Sequence, residues 1–221
     1  MRLSELLSLK QGDALAAVGC GGKTSLINLL ACENAHEGVL IAPTTRIALA
    51  ERVPVPGVSY LGRVEGEKLI GLDEAQIREA SEGYWLTLME ADGSKRLPLK
   101  GWAAWEPVIP AFATLTLGVL STRALGLRAT AETVHRLPEF LALSGLSEGD
   151  MVDECALQRM VLGPDGMLHK ATPRCAMVIN QEDAAEGRAC ARRIARALEG
   201  FGGCILIGST HTGVFEEWRA A

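Results

Sequence analysis

Nearly continuous apolar runs recur along the chain at Ala14 to Val18, Val39 to Ala42, Trp85 to Met89, Ala113 to Leu120, Ala176 to Ile179 and Cys204 to Ile207. Such runs suit strands covered on both faces, as in a parallel sheet flanked by helices. Helix-spaced stretches lie between them: Leu3 to Leu9, Thr24 to Asn34, a helix capped by Asp73 and running to Ala80, Asp150 to Val161, and Ala184 to Leu198. Thr130 to Leu143 reads as a helix kinked or divided at Pro138, because proline removes an intrahelical donor. Weaker patterns predict a helical turn at Arg46 to Glu51, edge strands at Val58 to Leu61 and Lys68 to Gly71, a small hairpin arm at Met167 to Lys170, and a short helix from Val214 to Arg219. Strands alternating with helices predict an α/β fold with a mostly parallel central sheet. No repeat or linker interrupts it, so residues 1–221 read as one domain with insertions near 54–71 and 97–110. Ligands of such sheets sit at the carboxyl ends of the strands, so the residues just after each apolar run are the informative ones.

The first run ends in Gly19-Cys20-Gly21-Gly22-Lys23-Thr24-Ser25. A strand, a glycine turn and Lys-Thr opening a helix is the layout of a phosphate-binding loop. It predicts a P-loop NTPase-like three-layer sandwich. The glycines let backbone N–H groups turn inward on an anion, and the helix N-terminus adds the positive end of its dipole. Lys23 would reach the outer phosphates and the Thr24 hydroxyl would hold a magnesium ion. The full motif has glycine where Ala17 stands. The competing reading is a glycine turn with an exposed lysine; the joint order of strand, glycines, Lys-Thr and helix favours phosphate.

Three other strand ends supply complementary parts. The second run ends in Thr44-Thr45, which brings hydroxyls to the ligand edge. The third runs into Glu90-Ala91-Asp92-Gly93-Ser94-Lys95. An apolar strand ending in an acid supplies the magnesium side of a nucleotide site. Asp92 and Glu90 are the candidate ligands, Glu90 also being suited to orient a water or a second substrate, and Lys95 adds positive charge. The fifth run ends in Asn180-Gln181-Glu182-Asp183. In guanine-nucleotide proteins an Asn-Lys-x-Asp segment recognises the base; an Asn/Asp turn capping the next helix is the alternative. ATP and GTP both stay open.

Charge and cysteine content narrow the classes. The net charge is −5, which argues against general nucleic-acid binding. Hydrophobic residues make up 48% of the chain, enough for a sizeable core, yet no apolar run is long enough to span a bilayer. The first residues lack the long apolar stretch of a signal peptide, and the six scattered cysteines show no C-x-x-C pair. The expectation is a cytoplasmic protein with free, mostly buried thiols, with no membrane and no nucleic acid among its partners.

Taken together, Val18 to Thr24, Thr44-Thr45, Glu90 to Lys95 with Leu97-Pro98-Leu99-Lys100 and Glu106-Pro107-Val108-Ile109-Pro110, His135-Arg136, and Asn180-Gln181-x-Asp183 resemble the YqeC family. The resemblance covers most of the chain. It implies an accessory role in selenium-cofactor biosynthesis, with a selenium-dependent molybdenum hydroxylase or its maturation machinery as partner. Three positions depart from the family pattern: Arg46 where histidine is frequent, Gln181 in place of lysine, and Cys20 where alanine is common. Cys20 reads as an inert thiol, with a soft selenium ligand as the alternative. Two functions follow. One is a nucleotide-gated accessory protein that binds ATP or GTP with Mg2+ at Lys23, Thr24, Glu90 and Asp92. The other is a phosphotransferase or ATP-dependent ligase on an unidentified small substrate. A dinucleotide oxidoreductase is disfavoured, because Thr24 stands where the third glycine of G-x-G-x-x-G would be.

Overall fold

The computed structural model describes residues 1–181 and 183–219. In chain order the elements are α1 (Leu3–Leu6), β1 (Asp13–Gly19), α2 (Lys23–Asn34), β2 (Val39–Ile41), β3 (Arg46–Ala48), β4 (Val58–Tyr60), β5 (Arg63–Glu65), β6 (Lys68–Ile70), α3 (Glu74–Ser81) and β7 (Leu86–Glu90). They continue with β8 (Leu99–Lys100), β9 (Leu115–Ser121), β10 (Val134–His135), α4 (Leu137–Ser144), α5 (Glu154–Leu162), β11 (Cys175–Asn180), α6 (Ala185–Ala197), β12 (Cys204–Ser209) and β13 (Val214–Glu217). The fold is α/β around an eight-stranded sheet of order β13-β12-β11-β9-β1-β7-β2-β4. Its neighbours pair in parallel, except for β13, which runs antiparallel along β12.

Side-chain alternation along β1 explains how both faces are covered. Leu15 and Ala17 pack with Leu3 of α1 and Leu26, Ile27 and Leu30 of α2. Ala14, Ala16 and Val18 pack on the opposite face with Ile77 of α3, Phe140 of α4, Leu157 of α5 and Ile194 of α6. Every residue of β1 is buried, which is why it reads as an unbroken apolar run. Two smaller sheets flank the ligand edge: antiparallel β3-β6-β5, and the two-residue parallel pair β10-β8. No helix among the described residues is long and apolar enough to cross a membrane.

Several local expectations are corrected. Val214 to Arg219 is not a helix: Phe215 is buried between exposed Val214 and Glu216, and this period-two pattern pairs with β12. Arg46 to Ala48 is a strand because β6 supplies a ladder partner; only Leu49–Glu51 coils, as a single 3-10 turn. Pro138 neither kinks nor divides a helix. α4 begins at Leu137, with Pro138 in the first turn, where a missing N–H is harmless. Met167 to Lys170 forms turns rather than a hairpin arm. Val58–Tyr60 is an edge strand, as expected, and it closes the main sheet beside β2. Of the six thiols only Cys20 is buried; Cys32 and Cys155 are exposed and the others half-buried.

The edge of the sheet opposite the ligand end is tied by one ion pair. The Asp13 carboxylate accepts from Arg174 Nη1 at 2.8 Å, Thr114 Oγ1 at 2.8 Å and the Lys10 amide at 3.0 Å. Arg174 Nη2 also donates to the Leu7 and Ser8 carbonyls at 2.8 and 2.7 Å. Burial pushes the Asp13 carboxyl up; the Arg174, Thr114 and Lys10 donors more than reverse this and hold it below its ordinary value. The stabilisation is therefore fully present above an unfolded pKa of about 3.9 and is lost as pH falls below it. Arg174 keeps about a third of its side chain in water, so Asp13→Asn is expected to cost about 2 kcal/mol at neutral pH. Urea midpoints at pH 7 and pH 3.5 check this: the gap between wild type and variant should narrow at the lower pH, and an undiminished gap contradicts the assignment.

Candidate functional site

The site lies at the carboxyl ends of β1 and β7, which are sheet neighbours. β1 ends at Gly19 and the chain turns through Cys20, Gly21 and Gly22 into α2. Gly21 and Gly22 have φ of 102° and 114°. A Cβ on Gly21 would come within 2.5 Å of Ser121, and one on Gly22 within 2.6 Å of Asn180 Nδ2. The loop thus lies flat against the ends of β9 and β11, and only glycine fits both its curvature and its closeness. Ala17 sits inside β1, buried and in register with Glu90 and Leu117; extended pairing there asks for no glycine. Gly22 caps α2 without a side-chain hydrogen bond, and first-turn N–H groups have no intrahelical acceptor.

Gly21, Gly22, Lys23, Thr24 and Ser25 line a cleft of about 970 Å³. Its other walls come from the small sheet (Arg46, Ile47, Ala48, Lys68), from residues 93–98, and from the ends of β9 and β11 (Ser121, Arg123, Leu127, Gln181). The lining holds six basic residues, Lys23, Arg46, Lys68, Lys95, Arg96 and Arg123, against one acid, Glu90. In a chain of net charge −5 this is a local reversal of sign, and it gives the cleft an excess of positive charge. Lys95 and Arg96 occupy the two centre positions of a turn closed by the Leu97 amide on the Ser94 carbonyl at 2.9 Å. Their φ values are 51° and 61°, a conformation that costs a non-glycine residue about 1–2 kcal/mol. The chain accepts this at the cleft wall, where both side chains are cationic.

The two acids after β7 have different surroundings. Asp92 is fully buried. It accepts from the Gly19 amide at 3.0 and 3.1 Å and from Trp102 Nε1 at 2.8 Å, and it pairs with Lys23 and Lys100 at 3.2 Å each. Burial pushes its carboxyl up, but the two ammonium groups and the two N–H donors more than offset this and keep it ionised, below its usual pKa. Lys23 is the counterpart. Burial lowers its pKa, the charges of Asp92 and Glu90 raise it further, and the ammonium is retained. Its Nζ donates to the Gly19 carbonyl at 2.6 Å and stands 3.9 Å from Glu90. Beyond Asp92 the signs keep alternating: Lys100 to Glu106 at 3.2 Å, then Glu106 to Arg136 at 2.8 Å. The chain of charges ends where Arg136 covers the ring of exposed Trp105.

Glu90 instead lines the cleft and accepts from Thr24 Oγ1 at 2.9 Å. Adjacent corners of a magnesium octahedron with bonds of about 2.1 Å lie about 3.0 Å apart. The hydroxyl and the carboxylate oxygen therefore already stand at the spacing that one such ion would bridge. Among the described residues no group of three His, Cys, Asp or Glu side chains forms a metal site.

The remaining sequence candidates fall around the cleft rather than in its lining. Thr44 Oγ1 donates to the Val108 carbonyl at 2.9 Å and to the Glu90 carbonyl at 3.3 Å, and Thr45 Oγ1 to that same Glu90 oxygen at 3.4 Å. Asn180 Nδ2 donates to the Gly21 carbonyl at 2.9 Å while its Oδ1 accepts from the Thr210 amide at 3.0 Å. Asp183 accepts from the Ser209 hydroxyl. From that segment it is Gln181 that lines the cleft, its side chain accepting from Ser121. The Cys20 thiol donates to the Pro98 carbonyl at 3.1 Å, and burial pushes its pKa up to about 12; it stays protonated and inert. Sequence reasoning missed Arg46, Lys68, Arg96 and Arg123 as cleft residues and Lys100 as the second partner of Asp92. Two signals were on offer: Arg46 directly follows the Thr44-Thr45 strand end, and Lys100 lies close to the Glu90-Asp92 segment.

A family model described as YqeC protein matches residues 15–138. The uncharacterized protein YqeC of Escherichia coli (strain K12) is 26% identical over 200 residues, which cover 79% of this chain and 77% of that protein. The family match runs from β1 through the glycine loop, the small sheet, both carboxylates and Arg136 into α4, and the chain belongs to the YqeC family.

Proposed function

We propose that this chain is a magnesium-dependent nucleoside-triphosphate-binding protein of the P-loop class, taking ATP or GTP. The observation that carries the reading is the Thr24–Glu90 pair, 2.9 Å apart, beside a glycine loop at the floor of a cationic cleft. In this reading the amides of Gly21 to Thr24 cradle the phosphates and Lys23 neutralises charge that develops on the outer one. Thr24 and Glu90 hold Mg2+, which would supply further neutralisation when bound. Asp92 fixes the Lys23 ammonium and the end of β1 from beneath. Asn180 holds the loop carbonyl at Gly21, and Gln181 faces the nucleotide.

The inherited family reading makes this an accessory protein of selenium-cofactor biosynthesis, with nucleotide occupancy gating its docking on a molybdenum hydroxylase or its maturation machinery. One observation favours such gating over a self-contained phosphotransferase or ligase. Trp105 and Val108 are exposed and flank Glu106, the carboxylate that the buried charge chain joins to Lys23. A change at the loop lysine would thus reach a surface suited to a partner.

The two acids should separate by experiment. Glu90→Gln is expected to leave the urea midpoint close to wild type and to weaken magnesium-dependent ATP or GTP binding about 10- to 100-fold. Asp92→Asn removes the buried counter-charge that Lys23 and Lys100 share and is expected to cost about 3–5 kcal/mol of stability. Calorimetry with and without Mg2+, alongside urea denaturation, reads both; full magnesium dependence in Glu90→Gln removes that residue from the metal site. Lys23→Met is expected to abolish triphosphate binding. Wild-type affinity in that variant, with the fold verified by circular dichroism, would sink the nucleotide reading.

A further inference from the structure

The small sheet contributes two cations that the nucleotide reading does not use. In β3, Arg46 stands opposite Ile70 of β6, and Ala48 stands opposite Lys68. Opposed residues share a face, as do residues two apart in one strand. Arg46 and Lys68 are therefore diagonal neighbours on one face, at a separation of about 7–8 Å, while Ile47 and Leu69 are buried on the other. Both cations are exposed and both line the cleft. Glu65, opposite Lys68 on β5, is taken up by Arg63 at 2.6 Å. Among the described residues neither Arg46 nor Lys68 is held by a carboxylate, so two like charges face the same space with an oxyanion as the natural bridge.

The sheet is also rooted at the site. The Gly71 amide, after β6, donates to the Thr45 carbonyl at 2.9 Å, and the Thr44 amide to the Glu90 carbonyl at 3.1 Å. The entry to β3 is thus fixed on Glu90, the residue that bonds Thr24, and the exit from β6 is fixed on Thr45 beside it. The volume of about 970 Å³ stands at the top of the range of roughly 300–1,000 Å³ for a single small-molecule pocket.

We propose that the outer half of this cleft binds a second, phosphate-bearing small molecule, its phosphate held between Arg46 and Lys68 while the nucleotide occupies the glycine loop. The inference deepens the nucleotide reading by naming the class of the second substrate. The probe is phenyl phosphate, titrated calorimetrically into wild type and into the double variant Arg46→Ala/Lys68→Ala. Each titration is run alone and at saturating Mg2+ with the β,γ-imido analogues of ATP and GTP. Both substitutions fall on exposed side chains, so the fold is retained. Wild type should bind phenyl phosphate with or without the imido-nucleotide. The double variant should bind it about 100-fold more weakly, about tenfold for each lost charge-assisted contact, with imido-nucleotide affinity within about threefold of wild type. Equal phenyl phosphate affinity in the two proteins overturns the proposal. So does displacement of phenyl phosphate by imido-nucleotide, which would assign both cations to the nucleotide. If no imido-nucleotide binds but phenyl phosphate still depends on Arg46 and Lys68, the nucleotide reading alone fails and the phosphate site stands.

Discussion

One buried carboxylate organises the ligand end of this molecule. Taking Asp92 out of water is worth several kcal/mol against folding unless its lone pairs and its charge are met. Here they are met by the Gly19 amide, the Trp102 indole and two ammonium groups. Each partner belongs to a different part of the chain: the end of β1, the start of α2, β8 and the segment after β8. The same contacts that make the charge tolerable therefore pin the glycine loop to the 97–106 stretch. A network satisfied this fully is rigid, and loss of one member leaves the rest unpaired in low dielectric. Lys100 matters because it gives Asp92 a second counter-charge beside Lys23.

The main sheet was legible because parallel strands buried on both faces leave apolar runs that need no partner to be recognised. β1, β2, β7, β9, β11 and β12 all carry that mark. Of the small sheet only β6 was legible, as the edge strand expected at Lys68 to Gly71. Its strands are three residues long, and β5 is exposed throughout, so period and hydrophobicity give little to read in β3 and β5. Val214 to Glu217 shows the same limit. Four residues fit either period until the edge of β12 supplies a partner, and then the buried Phe215 settles the register.

The site divides along similar lines. Lys23, Thr24 and Glu90 follow directly from strand ends, so local order places them. The distinct roles of Glu90 and Asp92 do not follow, because residues two apart share a strand face and only depth tells them apart. The chain ends β7 at Glu90, in the cleft, and carries Asp92 beneath Gly19. The cations are harder still. Arg46, Lys68, Arg96 and Arg123 come from separated segments of a chain whose overall charge is negative. Their convergence is a property of the β3-β6 register and of the sharp turn at Lys95-Arg96, neither of which a one-dimensional charge pattern contains.

Glu90 joins the two halves of the cleft. Its side chain faces Thr24, while its carbonyl accepts from the Thr44 amide and from the Thr44 and Thr45 hydroxyls. The threonines that sequence alone assigned to the ligand thus serve as the hinge that sets the small sheet against the main one. A shift of the Glu90 backbone by a few tenths of an ångström would move the proposed magnesium ligand and the Arg46–Lys68 wall together, because packed interiors transmit such displacements instead of absorbing them. In the proposed function this coupling is direct. Whatever sets Glu90 against the proposed metal also sets the Arg46–Lys68 wall against the glycine loop, so occupancy of one half of the cleft would be felt in the other.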